Sequence, residues 1–273
     1  MSALHVEVVG DGPPLVLLHG WAMHGGVFAP LVERLREHHR VHLVDLPGHG
    51  GSRDAALPLA LDACVNAIAA QVPVAPWCGW SLGGLVALRA ATTRPDAVPA
   101  LMMLCASPRF VKSAPDASDP WRWGMSAEIF RDFADGLRCD YRGTLERFLA
   151  LEAFGSNDAR GELRALRAQL FARGEPAAHV LADGLDLLQT TDLRACLPTL
   201  AVPSLWIGGR RDRLVDPRAL REASALAPGS RCEVLAHAGH APFLTHADAI
   251  ASLLRAFLAD TAAAADLATG PAR

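Results

Sequence analysis

The sequence predicts an α/β fold, with a mainly parallel central sheet, helices on both of its faces and a helical lid inserted between two of the strands. Three observations support this prediction. Short apolar runs recur at strand length, several of them lack polar alternation, and stretches with helical spacing separate them. Unbroken apolar strands are typical of parallel sheets covered on both faces. Strands that alternate with helices are typical of doubly wound folds.

The core elements follow in chain order. The apolar runs predict strands at 4–9, 15–18, 41–46, 74–80, 100–105, 202–207 and 232–235. Helical spacing predicts helices between them at 27–37, 59–71, 82–93, 218–226 and 247–258. These elements place the α/β core at residues 1–107 and 198–260.

The segment 108–197 breaks the alternation of strands and helices. It contains no convincing strand, and its helical patterns fall at 127–137, 144–153, 158–171 and 176–189. A helical insertion of this size between two strands predicts a lid over one end of the sheet. The small residues of the segment 261–273 predict a disordered tail.

Composition limits the classes of function. The chain has 273 residues, of which 51% are hydrophobic and 20% charged, and its net charge is −3. This is a globular composition, and it provides no overall attraction to nucleic acid or anionic membranes. The sequence shows neither a secretory signal nor an apolar stretch of the roughly 20 residues that cross a bilayer. We therefore expect a cytoplasmic protein, and we expect a monomer.

The cysteines do not predict a metal site or a disulfide framework. Six of them are scattered along the chain without a C-x-x-C pair, and several lie inside apolar runs. Such cysteines are typical of buried packing positions. Cys78, although close to the serine discussed next, is interpreted in the same way.

Residues 77–85 read W-C-G-W-S-L-G-G-L and place Ser81 between a strand and a helix. A side chain at such a tight turn is forced toward positive φ, which costs about 1–3 kcal/mol. Gly79 and Gly83 relieve the crowding, since flanking side chains would collide with the turn. This G-x-S-x-G pattern in its strand-turn-helix context predicts a nucleophilic serine at the positive end of the helix.

A serine nucleophile needs a base, and the base needs an orienting acid. In this arrangement the acid and then the histidine follow the serine in the chain. His240, in the loop after the last strand, is the predicted base, and Asp212, directly after the preceding strand, is the predicted acid. The competing candidates are His179, His237 and His246 for the base and Asp216 and Asp192 for the acid. Both aspartates precede helical sequence and are better explained as helix caps.

The tetrahedral intermediate of acyl transfer needs donors aimed at its oxygen. The N–H of Leu82 is one predicted donor, and the N–H of Trp21, after the early strand that ends in H-G-W, is the other. His19 is expected to brace this loop. The glycine-rich turn at 45–52 lacks the lysine of a phosphate-binding loop and is interpreted as scaffold.

Four longer motifs carry a family resemblance that extends from about residue 15 to residue 258. They are L-V-D-L-P-G-H-G, G-W-S-L-G-G-L-V-A, E-R-F-L-A-L at 146–151 and H-A-P-F-L-T-H at 240–246. With them the chain resembles the α/β-hydrolase-fold serine esterases and, among these, the pimeloyl-acyl-carrier-protein methyl ester esterases of biotin synthesis. The resemblance implies hydrolysis of the methyl ester that caps the pimeloyl chain, while that chain stays on its carrier protein.

The resemblance also implies binding residues. It implies substrate contacts at Trp21, Ser81 and Leu82 and in the lid at Phe148, Leu149, Ala150, Leu151 and Glu152. The family has glutamine at the position of Glu152. It implies carrier contacts at Arg147, Arg160 and Arg164, and Arg142 stands beside Gly143, which occupies the position of a fourth family arginine. Arg160, Arg164 and Arg167 share one predicted helical face.

The predicted reaction is ester hydrolysis through an acyl-enzyme, without a metal or organic cofactor. His240 takes the Ser81 proton, and Asp212 orients His240. Three alternatives use the same fold: a general short-chain carboxylesterase acting on small-molecule esters, a carbon-carbon bond hydrolase and a perhydrolase. A non-catalytic ligand receptor is a further alternative, against which the filled triad positions argue.

Overall fold

The computed structural model describes residues 3–114 and 116–269. Its centre is a sheet of seven strands in the order β1-β3-β2-β4-β5-β6-β7. The strands are β1 (Val6–Val9), β2 (Pro14–Leu18), β3 (Arg40–Val44), β4 (Trp77–Trp80), β5 (Leu101–Leu104), β6 (Ser204–Gly209) and β7 (Ser230–Leu235). β1 pairs antiparallel with β3, and every other pair is parallel. The predicted mainly parallel sheet is confirmed.

Ten α-helices accompany the sheet in the described residues. They are α1 (Ala29–Leu35), α2 (Leu61–Ala69), α3 (Leu82–Thr93), α4 (Ala127–Cys139), α5 (Tyr141–Ala153), α6 (Ala159–Leu170), α7 (Ala178–Thr190), α8 (Pro217–Leu226), α9 (Pro242–Thr245) and α10 (Ala247–Thr269). Short 3₁₀ turns lie at Gly25–Phe28, Gly50–Ser52 and Arg194–Thr199. No helix of the described residues combines the length and the apolar character needed to cross a membrane.

The central strands are buried on both faces. Every residue of β4, β5 and β6 is buried, which explains why the sequence shows apolar runs there instead of alternation. In contrast, the edge strand β7 alternates between half-buried and exposed residues. α1 packs against α10, and α2 packs against α3. Trp77, Trp80 and Trp206 are among the largest fully buried side chains.

Helices α4 to α7 lie between β5 and β6 in the chain, in the segment 108–197 that the sequence predicts as a lid and that we call the lid below. α4 packs against α5 and α7, and α5 packs against α6. The lid also contacts the core, because α7 packs against α3 and α6 packs against α9. α9, which the sequence analysis did not predict, begins two residues after His240.

The C-terminal segment differs from its prediction. α10 continues to Thr269, so residues 261–269 are helical where the composition predicted a disordered tail. Alanine, which makes up much of this segment, is the best helix former, and extending an existing helix is easier than starting a new one. Residues 270–273 of the predicted tail lie outside the described residues.

Candidate active site

Ser81 lies at the turn between β4 and α3, where the backbone is strained. Its φ is 54° and its ψ −119°, as the sequence pattern predicts for a serine at such a turn. A Cβ at Gly79 would overlap the backbone of Gly83, and a Cβ at Gly83 would overlap the carbonyl oxygen of Leu18. Only glycine therefore fits at either position, and the crowding explains how the fold maintains the strained turn.

His240 and Asp212 form a buried hydrogen-bonded pair. His240 Nδ1 lies 2.8 Å from Asp212 Oδ2, and both side chains are fully buried. The other carboxylate oxygen of Asp212 accepts hydrogen bonds from the N–H groups of Leu214 and Val215, each at 2.9 Å. His240 Nε2 is buried and has no partner among the described residues. This leaves Nε2 as the ring nitrogen that can receive a proton.

The three residues lie at the same edge of the sheet because each follows the carboxyl end of a parallel strand. Ser81 follows β4, Asp212 follows β6 and His240 follows β7. The two loops after β6 and β7 are tied together, since the N–H of Arg211 donates to the carbonyl of Ala238 at 3.0 Å. This edge is the usual location of ligand sites in open α/β sheets.

Trp80, which the sequence analysis did not select, holds the backbone of His240. Its Nε1 donates to the carbonyl oxygen of His240 at 2.8 Å, and the two ring centroids are 5.6 Å apart. The contact spans 160 positions in the chain. No local sequence signal marks it, apart from the position of Trp80 directly before the serine.

Cys105 is also part of this environment and was not selected from the sequence. It follows β5 with φ 45°, and its Sγ lies 3.8 Å from the carbonyl oxygen of Gly239. One side-chain donor atom from each of Cys105, Asp212 and His240 lies within 4.8 Å of the others, a spacing that a metal ion could use. Burial and then the nearby Asp212 carboxylate raise the pKa of the Cys105 thiol well above its ordinary value. The thiol therefore keeps its proton and is a poor metal ligand.

The loop after β2 brings the two predicted oxyanion donors together. A Cβ at Gly20 would lie 3.1 Å from Ser81 Cβ, so this loop lies directly against the serine. The backbone N–H groups of Trp21 and Leu82 donate to no other group of the described residues. Both remain available for a substrate oxygen.

His19 braces this loop in its neutral form. Its Nδ1 lies 2.8 Å from the carbonyl oxygen of Gly20, and its Nε2 accepts from the N–H of Leu46 at 2.9 Å. Burial, mainly, lowers the pKa of His19 to about 3. The neutral imidazole supports the bracing role predicted from the sequence.

A small apolar cavity lies beside Ser81. It is lined by Ser81, Phe110, Met125, Phe130, Phe133, Phe148, Leu185, Leu188 and Leu214, so most of its wall comes from the lid and the segment that leads into it. The rings of Trp21 and Phe148 pack edge-on with their centroids 4.5 Å apart, and the indole N–H of Trp21 donates to the carbonyl oxygen of Leu181 at 2.9 Å. The wall beside Ser81 is therefore apolar, although the space that it encloses, about 20 Å³, is too small for an acyl group until the lid moves.

The lid segment implied by the family resemblance is divided between different environments. Phe148 lines the cavity and Leu149 is buried, whereas Ala150 is exposed and Leu151 half-buried. Glu152 is fully buried. The structure therefore places one of these five residues, Phe148, in the wall of the cavity.

The competing candidates lie elsewhere or have other partners. His179 and His237 are exposed, and His246 contacts the Thr245 hydroxyl. Asp216 caps α8 by accepting from the N–H of Arg218 at 2.9 Å. Asp192 accepts from the N–H of Arg194 at 3.1 Å. Asp216 is therefore a cap, as the sequence predicts, whereas Asp192 lies one residue before the N-cap of its 3₁₀ turn and pairs with Arg109 and Arg194.

The predicted carrier arginines lie on the exposed surface of the lid. Arg142 pairs with Glu175 at 2.6 Å, and Arg147 pairs with Asp140 at 3.4 Å. Arg160 and Arg164 lie on the exposed side of α6. Arg167, on the same helix, pairs with Glu146 of α5.

A much larger cavity, about 860 Å³, lies at the opposite edge of the sheet. Its lining includes Pro14, Pro76 and Pro203, which stand at the amino ends of parallel strands, together with Phe257 of α10. Ser81 and His240 do not line it. Size alone therefore does not locate the chemistry, and the smaller cavity contains the candidate nucleophile.

Comparison with known proteins agrees with this geometry. The family model described as alpha/beta hydrolase fold matches residues 13–247. The pimeloyl-[acyl-carrier protein] methyl ester esterase of Xanthomonas campestris pv. campestris (strain B100) is 57% identical over 256 residues, which cover 94% of this chain and 99% of that protein. The protein of the same name from Stenotrophomonas maltophilia (strain R551-3) is 56% identical over 256 residues, covering 94% and 96%.

Solved structures show the same fold at lower sequence identity. The esterase from Exiguobacterium antarcticum superposes with a TM-score of 0.83 and 24% identity, covering 93% of this chain and 94% of that one.

Proposed function

The chain belongs to the pimeloyl-[acyl-carrier protein] methyl ester esterases of the α/β-hydrolase family, and we propose that Ser81, His240 and Asp212 carry out its ester hydrolysis. It is a carboxylic ester hydrolase that converts the methyl ester of a carrier-bound pimeloyl chain to a carboxylate and methanol. The resemblance seen in the sequence connects this step with biotin synthesis. The observation that supports the mechanism best is the buried Asp212–His240 hydrogen bond of 2.8 Å, which leaves Nε2 unpartnered.

The reaction proceeds in two matched halves. His240 Nε2 takes the proton of Ser81, whose oxygen attacks the ester carbonyl, and the N–H groups of Trp21 and Leu82 stabilise the oxyanion. The carbon–oxygen bond to methoxide breaks, and protonated His240 gives methoxide its proton. In the second half, His240 Nε2 takes a proton from water, whose oxygen attacks the carbonyl of the acyl-enzyme. The bond to the Ser81 oxygen then breaks, Ser81 regains a proton from His240, and the carboxylate is released. Asp212 keeps Nδ1 protonated in both halves.

The apolar cavity suits the neutral ester better than the product. Phe130, Phe133 and Phe148 face the space beside Ser81, and a methyl ester can enter such a space without a charge partner. A carboxylate in the same place would lose its hydration without compensation, which is unfavourable. Ester hydrolysis therefore weakens binding of the acyl end at the site where it occurs.

We further propose that the lid arginines bind the carrier protein. Arg142, Arg147, Arg160 and Arg164 are all exposed on α5 and α6, and α5 also contributes Phe148 to the cavity wall. A carrier held there can direct its acyl arm toward Ser81. Positive side chains recognise an acidic partner mainly through orientation and association rate.

Methanol release from pimeloyl methyl ester, offered with and without the acyl carrier, tests the substrate. We expect kcat/KM for the carrier-bound ester to exceed that for the same ester without the carrier by at least about tenfold, because remote contacts add binding energy. Equal values would contradict carrier recognition. Labelling by a fluorophosphonate tests the nucleophile independently, since a receptor without an activated serine would stay unlabelled.

A further inference from the structure

The turn between α5 and α6 lies directly on the two loops that hold the triad. Arg211, next to Asp212, donates from Nη1 to Asn157 Oδ1 at 2.5 Å. A Cβ at Gly155 would overlap the carbonyl oxygen of Arg211, and a Cβ at Gly239, next to His240, would lie 3.4 Å from the backbone nitrogen of Ser156. Residues 154–158, which we term the α5–α6 turn, therefore support both loops.

Two glutamates flank this turn and are buried beneath it. Glu152, in the last turn of α5, is 0% exposed, and Glu162, in the first turn of α6, is 1% exposed. None of their four carboxyl oxygens has a hydrogen bond of ordinary geometry within the described part of the chain, although the Ser156 hydroxyl and the Ala241 N–H lie near Glu162. Buried carboxylates without partners are costly, whereas a protonated carboxyl group avoids most of that cost.

The charges around the pair oppose ionisation. Besides each other, the ionisable groups that act on Glu152 and Glu162 are Asp158 at the start of α6 and Asp212, which is bonded to His240, and the Cys105 thiol lies close to Asp212 and Glu162. Burial, then Glu162 and Asp212, raise the pKa of Glu152 well above its ordinary value. Burial raises the pKa of Glu162 to about 7, with Asp212 and Asp158 adding to it, although the nearby Ser156 hydroxyl and Ala241 N–H oppose the increase.

Asp212 is the carboxylate best supplied with donors. Its two oxygens accept from His240, Leu214 and Val215, so among these acids it is the one equipped to carry a charge. Adjacent carboxylates disfavour one another's ionisation. Glu152 therefore keeps its proton at neutral pH, whereas Glu162 loses its proton as pH rises through about 7.

We propose that Glu152 and Glu162 are positioning residues whose uncharged carboxyl groups keep the α5–α6 turn on the Asp212 and His240 loops, so that ionisation of the pair releases the turn. The effect on lid position stands by itself, whereas the resulting loss of turnover rests on the proposed function.

The direction of the effect follows from proton linkage. A carboxyl group with a higher pKa in the docked lid than in the released lid holds its proton more tightly when docked. Docking is therefore strongest below the ordinary glutamate pKa of 4.5 and weakens as pH rises through about 7 for Glu162. Each group contributes at most about a tenfold change per pH unit inside this window, and Glu152 extends the window upward.

Amide hydrogen exchange of the full chain at about pH 6 and about pH 8.5, corrected for chemical exchange, tests the lid directly. In the wild type we expect protection of residues 152–162 to fall by at least about tenfold over this range. In Glu152→Gln/Glu162→Gln it should change by less than about threefold. Glu128→Gln, which neutralises an exposed glutamate of α4, is the matched control and should behave as the wild type.

Hydrolysis of a small neutral p-nitrophenyl ester measures the consequence for rate. The wild type should lose kcat/KM at alkaline pH, whereas the double variant should keep it. If protection in the wild type does not depend on pH, or if the double variant loses it equally, the inference is wrong. If no ester is hydrolysed at all, the proposed function fails, and the exchange measurement still decides whether the acid pair controls the lid.

Discussion

A serine becomes a nucleophile here only because distant parts of the chain fix its neighbours. The strained turn sets the direction of Ser81, and the Asp212–His240 bond sets the tautomer of the imidazole. Trp80 links these two regions, since it directly precedes Ser81 and donates to the carbonyl of His240. Side chains that position others should therefore affect turnover in a different way from the side chains that react.

Ser81→Ala should fold normally and lose ester hydrolysis by at least about a thousandfold, because no other hydroxyl can replace the nucleophile. Methanol release and fluorophosphonate labelling both measure this loss. Ser204→Ala, which removes another buried hydroxyl at the start of β6, should keep both activities. Near-normal turnover in the Ser81 variant would remove this serine from the mechanism.

Trp80→Phe should lower kcat by about tenfold with little change in KM, because the anchor of the His240 backbone is lost while the cavity wall is kept. Trp206→Phe is the matched control. Trp206 is also fully buried, and its Nε1 donates at 3.1 Å to Ser204, outside the residues that line the cavity. Both variants should lose some stability, but only the first should lose kcat. An equal loss of kcat in the two would mean that general packing is responsible.

The three proposed catalytic side chains could be selected from sequence because each follows a strand in a known order. Trp80, Cys105 and Glu162 could not, since their roles depend on contacts across the fold. The Trp80–His240 bond joins residues 160 positions apart, and the burial of Glu162 depends on how α6 packs against α9. Nothing in the local pattern around these residues distinguishes them from ordinary core or surface positions.

The lid is also attached to the core at a second place, which follows α6. Arg173, after α6, lies 3.3 Å from Asp45 Oδ2 and also pairs with Glu7 of β1. Asp45 is fully buried and accepts from the N–H groups of Gly25 and Gly51. Burial alone would raise the pKa of Asp45, but its neighbours, Arg173 included, lower it. The glycine-rich turn predicted as scaffold thus also contacts the lid.

Arg173→Met should destabilise the protein by about 1–3 kcal/mol at neutral pH, because it removes a charged hydrogen-bond partner from a buried carboxylate. Urea unfolding measures the loss. The lowered pKa means that this contribution is present above the ordinary value of 3.8 and is lost as pH falls, so the two proteins should converge in acid. Arg131→Met removes an exposed arginine that pairs with Glu128 on α4, and it should have no measurable effect. A constant difference at all pH values would contradict the role of Asp45.

The elements themselves were largely predictable, and the differences have simple causes. All seven strands and the four lid helices were predicted. Burial of the central strands on both faces leaves unbroken apolar runs in the sequence, and the lid helices leave a helical period. α9 was missed because a helix of four residues is too short to show a period. The end of α10 was placed too early because a run of alanine gives no contrast between faces.

The distribution of charge over the protein determines where an acidic carrier protein can be attracted. The net charge is −3, so an acidic partner gains nothing from the overall field and must be attracted by a local surface. The exposed arginines of α5 and α6 are the proposed surface, although Arg142 and Arg147 already pair with acids of the lid. The unequal pairing suggests that Arg160 and Arg164 contribute more to carrier binding.

Arg160→Ala/Arg164→Ala should raise KM for carrier-bound pimeloyl methyl ester by about tenfold and leave kcat nearly unchanged, because these side chains contact the carrier and not the reacting ester. Salt should also raise the KM of the wild type for the carrier-bound ester, since about 0.5 M salt shortens the screening length to a few ångströms. Hydrolysis of a small neutral ester should respond to neither change. Arg131→Ala/Arg138→Ala, which removes two exposed arginines from α4, is the control and should keep the wild-type KM. A similar increase in KM for both double variants would show that the carrier senses the total charge of the lid instead of this surface, and an unchanged KM in the first would place carrier binding elsewhere.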